Sequence, residues 1–168
     1  MATRSVTLID DIIDDYQFEN GDYVRRTRRV PVARFYRHFD GYPEGHGADI
    51  VDAIKKMRGN DRLNNHNWLQ HFLCALCAED MDIEFEPATP DAGSFVHGDL
   101  NYLYRVTGRM DYTGGKESAP DIPDRIIIDI WAVRYGDDEG KDYANILSTK
   151  PLMSGTWSEI ESMVRPGA

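Results

Sequence analysis

A chain of 168 residues with 41% hydrophobic content, nine tyrosines and three tryptophans can bury a core without staples and is too apolar to stay disordered. Its net charge of −10 disfavours direct nucleic-acid or anionic-membrane binding, because each phosphate contact needs a cation. Two cysteines are too few for a secreted disulfide scaffold, and neither an apolar run of about 18 residues nor a signal leader is seen, so a cytoplasmic, non-membrane protein is expected.

In chain order, Ser5–Asp15 carries Val6, Leu8, Ile9, Ile12 and Ile13. The spacing suits a short helix over 5–13, with Ile9, Ile12 and Ile13 on one stripe, or a strand. Asp10, Asp11, Asp14 and Asp15 read as a solvated acidic face, with a cation site as the alternative. Asn20-Gly21 between Tyr16/Phe18 and Tyr23 predicts a two-residue hairpin joining strands near 15–19 and 22–30, since both residues tolerate positive φ. Pro31 predicts a strand edge or break, after which VARFYRH forms a third strand ending at His38.

The turn Phe39–Gly47 then opens a helix, ADIVDAIKKM, with Ile50, Ile54 and Met57 on one face, ended by Gly59-Asn60. Asn67 predicts the N-cap of a second helix whose stripe of Trp68, Leu69, Phe72, Leu73 and Leu76 belongs at the centre of the core. Strands are expected over 82–86 and 100–106, then an exposed breaker-rich loop over 111–124. The run 125–136 is apolar on both faces apart from Asp129, which predicts a central strand. Thr156 and Glu159 form a capping-box pattern opening a last helix. The sum is a single α+β domain over 1–168, with a mixed, mainly antiparallel sheet of five or six strands and three helices packed on it.

Candidate chemistry gathers between Arg25 and Gly47, where six of the nineteen basic residues lie. Alternation puts Arg26 and Arg28 on one strand face and Arg25 and Arg29 on the other, so they cannot all serve one ligand; pairing with cross-strand acids is the competing role. The turn offers a ligand-binding constellation of Arg34, Tyr36, Arg37, His38, Asp40, Gly41, Tyr42, Gly45, His46 and Gly47. Arg34 and Arg37 suit phosphate, Tyr36 or Tyr42 can stack a base, and His38 with the Gly45–Gly47 amides would complete an anion pocket. His38, Asp40 and His46 also permit a metal-dependent hydrolase or phosphodiesterase, although their spacing matches no standard metal signature. Cys74-Ala-Leu-Cys77 lies mid-helix and not at a helix N-terminus. It therefore reads as buried structural cysteine before redox pair, or zinc site with His71. Gly114-Gly115-Lys116 lacks the strand–loop–helix context of a phosphate cradle.

The octapeptide Tyr36-Arg37-His38-Phe39-Asp40-Gly41-Tyr42-Pro43 and the later Gly98-Asp99-Leu100-Asn101-Tyr102-Leu103-Tyr104 resemble a family of small phage and bacterial proteins. That family carries a Tyr-Arg-His-x-Asp-Gly-Tyr-Pro segment and a Gly-Asp-x-x-Tyr-x-Tyr strand. The resemblance covers about 80 residues, ending near residue 106, and implies a phage or prophage setting without a particular chemistry. By analogy with small phage proteins that lack enzyme motifs, the expectation is a non-enzymatic counter-defence inhibitor with no cofactor and no metal. Its partner would be a nucleotide signal that it sequesters or a bacterial host defence protein that it masks. A homo-oligomer is compatible with the sequence, and an acidic nucleic-acid mimic using Asp10, Asp11, Asp14 and Asp15 is a further alternative.

Overall fold

The computed structural model describes residues 3–64, 67–79, 83–86, 100–109, 122–133 and 143–167. Six strands form one mixed sheet, β1 (Ser5–Glu19), β2 (Asp22–Arg37), β3 (Ile83–Glu86), β4 (Tyr102–Arg109), β5 (Ile127–Ala132) and β6 (Met153–Thr156), in the order β3-β2-β1-β4-β5-β6. Only β1 and β4 run parallel among these pairs. Among the described residues four α-helices accompany it, α1 (Ala48–Met57), α2 (Trp68–Glu79), α3 (Tyr143–Leu147) and α4 (Trp157–Val164). The α+β class, α1, α2, α4 and the strands at 83–86 and 102–109 follow the sequence reading; α3 and β6 had no sequence signal.

Residues 5–13 are strand, not helix. Val6, Thr7, Ile9, Ile12 and Ile13 are β-branched and fit a pleat better than a helical turn. The flanking strands settle the matter, with β2 and β4 pairing along β1 from both sides. Asn20 and Gly21 have φ of 52° and 96°, so the hairpin turns where expected.

Pro31 does not end a strand: β2 runs unbroken from Asp22 to Arg37. Asp10 pairs with Pro31 and Ile9 with Ala33, which leaves Val32 as the extra residue of a bulge. A bulge is a place where a proline's missing N–H costs a sheet little. The strand from residue 127 is interior but not central; β1 and β4 hold the middle, because β6 alone lies outside β5.

Alternation divides the core in two. Ile9, Phe35, Tyr104, Val106, Ile128 and Ile130 pack with α1, α2 and α4. Val6, Tyr36, Leu103 and Trp131 form a smaller cluster on the other face with Ile146 of α3. The α2 stripe sits deep as expected, with Trp68, Phe72 and Leu76 buried. Gly108 makes room for it, since a Cβ there would lie inside contact distance of the Trp68 indole. The capping box at Thr156 and Glu159 forms. Gly98, Asp99, Gly114-Gly115-Lys116, most of the 111–124 loop and the 134–136 end of the fifth predicted strand lie outside the described residues.

Candidate functional site: a turn held from beneath

β2 delivers Arg34, Tyr36 and Arg37 to the turn, and the pleat sends Arg37 to the helix side and Arg34 and Tyr36 to the other. After His38 the chain reverses at Asp40, whose φ of 53° lies in the left-handed region that aspartate tolerates. One wide turn, Pro43–Gly47, then runs directly into α1. The Gly45 amide donates to the Tyr42 carbonyl at 3.0 Å and the His46 amide to the Asp40 carbonyl at 3.0 Å. These amides are therefore spent inside the turn and are not presented to an anion. A Cβ on Gly45 would stand 2.5 Å from the Asp40 carbonyl, so only glycine lets the loop close this tightly. Gly41 donates to the Thr3 carbonyl at 2.9 Å, and its own carbonyl accepts from the Tyr104 hydroxyl at 2.8 Å.

His46 is the post on which the turn stands. It is fully buried, and its ring packs edge-on against Phe35 and Tyr104 at 5.7 and 4.9 Å. Arg37 Nη1 lies 2.8 Å from Nδ1, and Thr7 Oγ1 lies 2.8 Å from Nε2. A guanidinium has no lone pair to offer, so Nδ1 must accept, which leaves the ring proton on Nε2 and Thr7 as its acceptor. Burial first, then the Arg37 charge, push the His46 pKa well below its ordinary value. The imidazole is neutral and both nitrogens are engaged. Arg37 also donates to Asp49 Oδ2 at 2.6 Å, tying the end of β2 to the first turn of α1.

The ten predicted binding residues therefore do not form one pocket. Arg34, Tyr36, Arg37, Gly41, His46 and Gly47 are buried. Arg34 faces Glu86 across β2 and β3, Nε to Oε2 at 2.5 Å, on the sheet face opposite Arg37, so the two arginines cannot grip one phosphate. His38 and Asp40 lie on the outer side and His46 beneath, so the three proposed metal or acid–base residues do not converge. Among the described residues no group of three or more His, Cys, Asp or Glu is placed to hold a metal.

The other charged candidates are also consumed. Asp14 pairs with Arg25 and accepts from Thr27 Oγ1 at 2.6 Å. Asp10 lies between Arg105 at 3.2 Å and Arg29 at 3.7 Å. Burial raises the Asp10 pKa and the two arginines oppose that shift. The side chains of Asp10 and Asp14 are 6% and 3% exposed, so these two acids are not laid open on the surface. Cross-strand pairing explains most of the basic strand, Arg26 with Glu19 included. Cys74 is exposed and Cys77 half-buried, which corrects the expectation of a buried pair. On α2 the stripe rotates toward Phe72 and Leu76, leaving Cys74 outside it.

What the turn presents outward is different chemistry. Phe39 and Tyr42 are 56% and 37% exposed. His38 Nε2 lies 3.0 Å from Glu84 Oε1 on β3, and its ring contacts Phe39 at 6.3 Å between centroids. Phe85 follows Glu84 in β3 but points to the helix side of the sheet, where it is 58% exposed and leans on Phe35. Sequence reading missed Phe39, Glu84 and Phe85, because neither the register of β3 against β2 nor the exposure of an aromatic is written in local spacing.

Compared with protein-family models, curated proteins and solved structures, the chain has no match. No helix among the described residues is long and apolar enough to cross a membrane.

Proposed function

We propose that the protein is a non-catalytic binding protein that masks a protein partner, in the bacterial cytoplasm and the phage counter-defence setting that its octapeptide implies. The observation that carries this reading is the division of the turn. Arg37 and His46 are locked inward with Thr7 and Asp49, and Phe39 and Tyr42 face outward on that base beside His38 and Asp40. Rigid exposed aromatics beside a polar rim are the usual anchors of a protein contact, since ordering them on binding costs little entropy. Sequestration of a nucleotide draws less support, because Arg34 and Arg37 already have carboxylate partners. Hydrolysis through His38, Asp40 and His46 draws less still, for their separation leaves no shared reacting point.

The test is capture from lysate of the bacterial host with the wild-type chain and with Phe39→Ser/Tyr42→Ser as bait, alongside native mass spectrometry of the purified protein. The reading predicts one host protein held by the wild type and weakened at least about tenfold by the double substitution, on the order of 1.4 kcal/mol or more. A nucleotide released on denaturation, or capture indifferent to both substitutions, would overturn it.

A further inference from the structure

Beyond residue 12 of β1, where the register with β4 ends, the β1–β2 hairpin continues among the described residues as a two-stranded ribbon from Ile13 to Arg28. At 3.3–3.4 Å per residue, seven residues from Ile13 to Glu19 carry it roughly 20 Å past the sheet. A two-stranded ribbon alone in water is marginal, so one this long calls for a surface to lie against. Its tip is also the most exposed aromatic cluster among the described residues. Tyr16, Phe18 and Tyr23 are 49%, 65% and 74% exposed, and Phe18 meets Tyr23 edge-on at 5.2 Å. Cross-strand pairing of Phe18 with Tyr23 and of Tyr16 with Arg25 puts all four on one face of the ribbon. At about 200 Å² per ring, the exposed fractions sum to roughly 400 Å² of aromatic surface, the size at which a patch marks an interaction site.

Charge selects the occupant. Between Ile13 and Arg28 four acids and three arginines leave a single net negative charge, so −9 of the net charge of −10 resides on the rest of the chain. Two copies brought body to body repel. Two copies brought ribbon to ribbon do not, for roughly 20 Å exceeds two Debye lengths of about 8 Å at physiological salt. The ribbon face is also suited to its own copy: a two-fold axis would set the Arg25 of one chain, held beside Asp14, against the Tyr16 ring of the other, a cation–π pairing made twice. The edges are less suited to the task, because the part of β2 before its pairing with β3 carries Arg25, Arg26, Arg28, Arg29 and Pro31, the features that keep sheet edges apart. We infer that the ribbon is a self-association arm, and that two copies of this chain pair through the Tyr16/Phe18/Tyr23/Arg25 face at their tips.

Sedimentation velocity over a concentration series, at low and high salt, tests the pairing. The wild type should pass from one chain to two as concentration rises. Added salt should strengthen the dimer, since it screens the acidic bodies and leaves the apolar contact in place. Phe18→Ser/Tyr23→Ser, which keeps the Asn20-Gly21 turn, should weaken pairing at least tenfold with an unchanged circular dichroism spectrum. Tyr16→Ala, further from the tip, should weaken it less and serves if the double variant unravels the hairpin. A wild type that stays a single chain throughout, dimers that dissolve in salt, or dimers indifferent to all three substitutions would each overturn the inference.

Discussion

At the scale of single residues, the turn illustrates how a histidine flanked by glycines and acids can look reactive and be architectural. His46 is held neutral in the fold, with a folded-state pKa below its unfolded value of about 6.5. Its contribution to stability is therefore complete above pH of about 6.5. It is lost progressively as pH falls below that value, because only the unfolded chain takes up the proton. His46→Gln offers an amide donor to Thr7 and an acceptor to Arg37 without titrating. Urea midpoints should show it less stable than wild type at neutral pH by about 1–3 kcal/mol, with the gap narrowing as the solution is acidified. A gap that stays constant with pH would refute the buried neutral ring. Arg37→Met should cost a similar 1–3 kcal/mol, since it strands Nδ1 of His46 and a partly buried Asp49 carboxylate. Gly45→Ala should cost on the order of 1–3 kcal/mol, because the group its Cβ meets is backbone and cannot swing aside.

Among elements, α4 starts on a cap in which Glu159 Oε2 accepts from the Thr156 hydroxyl at 2.9 Å and from the Thr156 amide at 2.7 Å. Those bonds hold the Glu159 carboxyl below its ordinary pKa. Thr156→Ala should lower stability by about 1 kcal/mol in a denaturant titration, and an unchanged midpoint would mean that the cap is idle. Gly108→Ala should be far worse tolerated than an ordinary strand substitution, by about 1–3 kcal/mol, because its methyl meets the buried Trp68 ring. Elements with strong local chemistry were legible in the sequence: the Asn20-Gly21 turn, α1 with its Gly59 stop, and the capping box. Residues 5–13 were not, because their apolar spacing satisfies both a helix and a strand until β2 and β4 are seen to flank them. Pro31 misled for a related reason, since a bulge is a property of two paired strands and not of one.

For the whole molecule, the same division separates what spacing reveals from what topology adds. The sequence located the turn as a focus of polar residues correctly, but adjacency in the chain is not convergence in space. The pleat sent Arg34 and Arg37 to opposite faces, and the turn put His46 below the aromatics and His38 above. Cross-strand pairing likewise neutralised an acidic and a basic stretch that look like two separate fields when read singly. On the proposed reading, a protein of this acidity meets partners through the few places where charge is nearly balanced or aromatic rings stand clear: the outer rim of the turn and the ribbon tip.

The central claim is that the polar turn is an internal support and not a reactive or anion-binding centre. Long-range ¹⁵N–¹H spectra of the histidine rings test it most directly, recorded across a pH titration with and without added inorganic phosphate. The account predicts one ring with a protonated Nε2 and a bare Nδ1 that shows no titration near its ordinary value of about 6.5 and does not respond to phosphate. A His46 ring that titrates near that value, or shifts when phosphate is added, would contradict it.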